Sequence, residues 1–168
     1  MVVIVMGVSG CGKSTVGRLL AERTSAAFLD ADDFHPPANV AKMRAGTPLT
    51  DEDRAGWLRR LRDEIETALR AGTSLVLACS ALRETYRRTL ARPGEDVRFV
   101  HLVGTFESLH ARIAERKDHY MPPALLRSQF ATLETPPYAV EIAADERLDA
   151  SVARIVQRLR ADEGRIRP

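Results

Sequence analysis

The stretch Gly7-Val8-Ser9-Gly10-Cys11-Gly12-Lys13-Ser14-Thr15 narrows the folds open to this chain more than any other segment. It fits the spacing G-x-x-x-x-G-K-[ST]. Before it stands Val2-Val3-Ile4-Val5-Met6, an apolar, β-branched run of strand length. After it, Val16, Leu19 and Leu20 fall at helical spacing. Strand, glycine loop and helix in that order build a cradle for phosphate. The glycines let the backbone curl until several N–H groups face one anion. The helix that follows adds its unpaired N–H groups and the positive end of its dipole at the same spot. In such a cradle Lys13 reaches the β and γ phosphates, and the Ser14 hydroxyl is placed to ligate Mg²⁺. A glycine-rich turn with a surface lysine would need neither flank, and here both agree. Residues Gly7 to Thr15 are therefore expected to bind a nucleoside triphosphate.

Four further runs have strand character: Ala26–Asp30, Ser74–Cys79, Val97–Leu102 and Ala139–Ala143. The first, third and fourth of the five are almost wholly apolar or small, which suits strands covered on both faces. Helical patterns fill the gaps. Thr50-Asp51-Glu52-Asp53 has the form of a capping box with Asp in the place of Glu. Trp57, Leu58, Leu61, Ile65 and Leu69 then recur at helix period, and Gly72 is placed to stop that helix. Thr105 or Glu107 opens another helix, and Asp149 is expected to cap the last. Strands alternating with helices imply a doubly wound α/β sheet. At 168 residues the chain is expected to be a single domain. Segments 35–48, 116–123 and 134–138 read as loops, and the polar tail after Asp162 as frayed.

The second strand ends in Asp30-Ala31-Asp32-Asp33, at the sheet edge where ligands bind in open α/β folds. On extended backbone Asp30 and Asp32 would point the same way. Asp30 is assigned to Mg²⁺, through water. Asp32 is assigned as the base that takes a proton from an incoming hydroxyl. Asp33 reads as a turn cap. Cations leave the same edge: His35, Lys42, Arg54 and Arg83 are expected to hold an anionic acceptor. Arginine does this with two parallel hydrogen bonds to a carboxylate. Arg87, Arg88, Arg59 and Arg60 read as ordinary helix residues. Downstream, Arg112 and Arg116 lie four apart on one helical face, followed by Lys117, a polar loop and a second helical pattern through Leu125, Leu126, Gln129, Phe130 and Leu133. This helix–loop–helix reads as a flap that excludes water from the transferred group.

Together the glycine loop, Leu29-Asp30-Ala31-Asp32, His35-Pro36, the stretch from Lys42 through Gly46-Thr47-Pro48-Leu49-Thr50 to Arg54 and Trp57, Cys79-Ser80-Ala81-Leu82-Arg83, and Arg116-Lys117-Asp118-His119-Tyr120 with Gln129-Phe130 resemble the small gluconate kinases. The resemblance runs from about Val3 to about Val156. It implies a three-layer P-loop kinase fold: a five-stranded parallel sheet in the order 2-3-1-4-5, helices on both faces and a small helical lid. The acceptor region then spans about 32–60 and the lid about 116–135. It also implies ATP- and Mg²⁺-dependent phosphorylation of D-gluconate at the 6-hydroxyl, with homodimers common. An Arg like Arg112 lies against adenine in related kinases, and a lid cation like Arg116 near the phosphates. Family members often carry Lys where Arg83 stands, and the lid here contains Pro122-Pro123.

Shikimate and nucleoside monophosphate kinases share the fold, but the His-Pro and Cys-Ser-Ala-Leu segments point away from them. A GTP-binding switch would read guanine with Asn-Lys-x-Asp, which is absent from the sequence. A net charge of +2 and the lack of interleaved aromatic and basic residues argue against a nucleic-acid partner. The apolar runs are too short for a bilayer span, and the strand and loop at residues 2–15 occupy the place of a cleavable leader. Two cysteines without metal-ligand spacing fit the reducing cytoplasm.

Overall fold

The computed structural model describes residues 1–115 and 124–163. Along the chain run β1 (Val2–Met6), α1 (Lys13–Thr24), β2 (Ala27–Asp30), α2 (Pro37–Arg44), α3 (Asp51–Ala71), β3 (Leu75–Ala78), α4 (Glu84–Leu90), β4 (Val97–Val103), α5 (Phe106–Ala114), α6 (Ala124–Thr132), β5 (Val140–Ala143) and α7 (Leu148–Glu163). The sheet order is β2-β3-β1-β4-β5. Every neighbouring pair is parallel. Each crossover therefore carries a helix over a face of the sheet, as parallel connection demands.

Alternation along β1 divides the core. Val3 and Val5 join Val76, Val100 and Leu102 against Leu20 of α1 and Ile155 of α7. Val2, Ile4 and Met6 join Leu75, Leu77 and Phe99 against Trp57, Leu58, Leu61 and Ile65 of α3. Full burial of a Leu or Ile stabilises by about 1.5–3 kcal/mol, so these two layers dominate the driving force. β1 sits where the winding reverses, with β3 on one side and β4 on the other. Doubly wound sheets open their ligand crevice at that switch point, beyond the strand C-termini.

Local chemistry sets the helix ends. Thr50 and Asp53 form the expected capping box. Gly72 closes α3 in the left-handed region at φ 65°. Thr105, rather than Glu107, caps α5 by accepting from the Ser108 N–H. Two expectations are corrected. Residues 37–44 are helical, because Pro37 starts α2 with a preset φ and no N–H to leave unpaired. Asp149 lies inside the first turn of α7 and pairs with Arg23 at 3.2 Å, so it serves the helix dipole and not the cap. Of the expected lid, segment 116–123 lies outside the described residues, while α6 packs Leu126 beside Leu109 and Ile113 of α5. No described helix is long and apolar enough to cross a membrane.

Candidate active site

The glycine loop joins β1 to α1 as expected, and its glycines are needed for space as well as for φ. Gly7 has φ 139°, and a Cβ there would lie 2.7 Å from the Leu102 carbonyl oxygen. Gly10 has φ 82°, and a Cβ would meet Ile113 Cγ1 at 2.7 Å. The loop is thus threaded between β4 and α5. Lys13 Nζ folds back to donate to the Val8 carbonyl at 3.1 Å, which holds its charge over the loop. Burial raises the Cys11 thiol, and it pushes Cys79 up to about 12. Both stay protonated and inert at neutral pH.

Ser14 Oγ donates to Asp30 Oδ2 at 2.6 Å, so the two residues assigned to Mg²⁺ touch. Asp30 ends β2 on extended backbone, but Asp32 has left it for a 3₁₀ turn, which corrects the sequence reading that both point the same way along one strand. Asp30 Oδ1 accepts the Asp32 N–H at 3.1 Å and caps a 3₁₀ turn over Ala31–Phe34. An Asp side chain commonly diverts the chain into such a turn. The turn nevertheless brings Asp32 to the cleft of Lys13: the two line one space, with Ser9, His35, Arg54, Trp57, Ser80 and Gln129 among its other walls.

Trp57 organises the wall of this cleft that carries Asp32 and His35. Its Nε1–H donates to the Ala31 carbonyl at 2.7 Å, tying α3 to the turn that carries Asp32. Its ring stacks on His35, with centroids 4.3 Å apart and planes 11° from parallel. Burial lowers the His35 pKa and the nearby Arg54 charge adds to this, against an opposing pull from Asp32. His35 is therefore neutral at pH 7. Asn39 Nδ2, which donates to the Asp53 carbonyl at 2.8 Å, also lies 3.5 Å from His35 Nδ1. That contact suits a tautomer with its proton on Nε2.

Arg54 is held by the Leu49 and Thr50 carbonyls through Nη1 and lies over the Tyr86 ring. The structure does not bring Lys42 or Arg83 to the cleft wall. Lys42 Nζ pairs with Asp53 at 2.7 Å, and Arg83 Nη1 pairs with Asp51 at 2.9 Å. The acidic first turn of α3, which looked in sequence like helix capping alone, captures both cations. The Asp51 carboxyl is lowered chiefly by its hydrogen bond from Tyr86, with Arg83 adding to the effect. Arg87 is 2 % exposed and donates to the Ala81 and Leu82 carbonyls at 2.8 and 3.1 Å. It thereby braces Ala81, a non-glycine residue at φ 43°.

Arg112 lines a second cavity of about 240 Å³ with Cys11, Gly12, Thr15, Ala144 and Glu146, and its Nη1 donates to the Ala144 carbonyl at 3.0 Å. The loop thus lies between two spaces, one walled by Arg112 and one by Asp32. Arg116 lies outside the described residues. In sequence, Trp57 and Gln129 have only a place in a helical period and in the family resemblance, with no site role, and both reach the cleft. The one usable signal was a polar Gln between Leu126 and Phe130 in an apolar pattern.

Comparison with known proteins gives this chain a family. A family model described as an AAA domain matches residues 2–136. A rat protein named probable gluconokinase is 44% identical over 181 residues, covering 95% of this chain and 97% of its own. An unliganded sugar kinase from Janibacter sp. HTCC2649 superposes with a TM-score of 0.85 at 42% identity, covering 93% of this chain and 92% of that one. A gluconokinase from Sinorhizobium meliloti 1021 gives a TM-score of 0.79 at 37% identity, covering 95% of both chains.

Proposed function

Because the chain belongs to the AAA-domain P-loop proteins and, among them, to the gluconokinases, we propose that it transfers the terminal phosphoryl of ATP to the 6-hydroxyl of D-gluconate. The observation that carries this reading is the shared cleft: Lys13 of the phosphate loop and Asp32 of the acceptor turn face one space. The base of ATP occupies the cavity beside Arg112, and the triphosphate follows the loop toward Lys13. Ser14 and Asp30 present hard oxygen donors in mutual contact, a set that fits Mg²⁺ with part of its hydration shell kept. When bound, Mg²⁺ supplies charge neutralisation for the transferring phosphoryl.

Asp32 accepts the proton of the 6-hydroxyl as its oxygen attacks phosphorus. Lys13 follows the negative charge onto the leaving ADP. Phosphoryl transfer rests mainly on positioning and charge, so the base contributes part of the acceleration. Arg54 takes the gluconate carboxylate, and neutral His35 donates from Nε2 to a sugar hydroxyl. Lys42 and Arg83 act one step back, by holding Asp53 and Asp51. Residues of about 32–60 form the acceptor region, and α6 belongs to a lid of about 116–135 that supplies Leu125, Ser128 and Gln129 to the cleft. We also place the protein in the cytoplasm as a homodimer, in keeping with two buried thiols and with the family resemblance.

A coupled assay of ADP release with ATP and Mg²⁺ tests the assignment. Gluconate is expected to drive turnover, while shikimate and nucleoside monophosphates leave the background rate unchanged. Turnover on either of those without turnover on gluconate refutes it.

A further inference from the structure

One contact crosses from the phosphate loop to a helix more than a hundred residues away in sequence. The backbone N–H of Ser9 donates to Gln129 Oε1 of α6 at 2.6 Å. Ser9 is not a random member of the loop. Among the described loop residues, Ser9 and Lys13 line the acceptor cleft, whereas Cys11, Gly12 and Thr15 line the cavity beside Arg112. A triphosphate laid from that cavity toward Asp32 brings its last phosphoryl group to the Ser9 and Lys13 end. Lys13 Nζ rests on the carbonyl of Val8, the neighbour of Ser9, so the lysine charge and the Ser9 N–H converge on the same place. Backbone N–H groups of such loops serve as phosphate donors.

We propose that Gln129 Oε1 and an oxygen of the terminal phosphate compete for the Ser9 N–H, so that Gln129 sets the enzyme's discrimination between ATP and ADP. ATP must displace the carboxamide oxygen from this donor, while ADP, one phosphate shorter, leaves it in place. Once the phosphoryl group has moved to the acceptor, the carboxamide regains the N–H in the cleft that Leu125, Ser128 and Gln129 help to line. Gln129 is then a positioning residue that helps separate the new phosphate ester from the loop. The inference rests on the ATP site described above.

The test compares binding of ADP and of a non-hydrolysable imido analogue of ATP by titration calorimetry with Mg²⁺. In Gln129→Ala the analogue is expected to bind about 3- to 10-fold tighter, the usual range for one competing hydrogen bond, with ADP unchanged within about twofold. Gln129→Met keeps the side-chain length, lacks a strong acceptor and should behave alike. Gln129→Glu sets a carboxylate against the phosphate, and should weaken the analogue relative to ADP by about 10-fold or more. A purely structural tie between α6 and the loop predicts something different: both nucleotides weaken by the same factor in every variant, and that result overturns the proposal. Wild-type protein that binds neither nucleotide would overturn the ATP site itself, and this proposal with it.

Discussion

Trp57→Phe probes the joint on which the acceptor side depends. The indole N–H reaches the Ala31 carbonyl at 2.7 Å, and Ala31 is completely buried, so no water replaces the lost donor. Leaving that buried carbonyl without a donor costs about 1–3 kcal/mol. The smaller ring also leaves a void, worth about 1 kcal/mol at the usual cost per unit of cavity volume. Together these come to about 2–4 kcal/mol, and for a chain of this length a Tm lower by about 4–16 °C. The effect on activity should be selective. The turn over Ala31–Phe34 carries Asp32, and His35 loses part of its stacking partner. We expect kcat to fall several-fold and KM for gluconate to rise, with KM for ATP nearly constant, because the Arg112 cavity shares no residue with this joint. Circular dichroism melts and steady-state kinetics read both quantities. An unchanged Tm, or equal shifts in both KM values, would refute the argument that Trp57 braces the catalytic turn.

Asp32→Asn should lower kcat by about 10²–10⁴ with little change in ATP affinity; a wild-type kcat in this variant removes Asp32 from the base role. Arg54→Ala should raise KM for gluconate by about 10- to 100-fold, the range of a charge-assisted hydrogen bond, and leave KM for ATP alone. His101 of β4 is 2 % exposed, its Nδ1 has no hydrogen-bond partner among the described residues, and burial lowers its pKa from 6.5. The unfolded chain therefore binds this proton more readily than the folded one. Stability should be complete above about pH 6.5 and decline as the pH drops below it. Melts from pH 5 to 7.5 should show a shallower decline for His101→Gln, and parallel curves would exclude His101 as the source.

Much of this protein was legible in short segments, because the interactions that shape them are local. A β-branched run before a glycine loop, a Thr50–Asp53 box and a glycine at φ 65° leave one reading each of strand, cap and stop. The contact between Ser14 and Asp30 was also foreseeable, since Ser14 lies in the first turn of the helix after β1 and Asp30 ends β2, both at the ligand edge of a parallel sheet. The destinations of long polar side chains were not. Lys42 and Arg83 carry the same charge as Arg54, and the sequence assigns all three to the acceptor. Only folding shows that the carboxylates of Asp53 and Asp51 stand nearer to two of them than the cleft does. Trp57 and Gln129 follow the apolar period of their helices, yet each spends its polar group across the fold, on Ala31 and on Ser9. Periodicity reports which face of a helix is covered. Which partner a buried donor or acceptor meets there depends on the packing of segments far apart in the chain, and that is settled only in three dimensions.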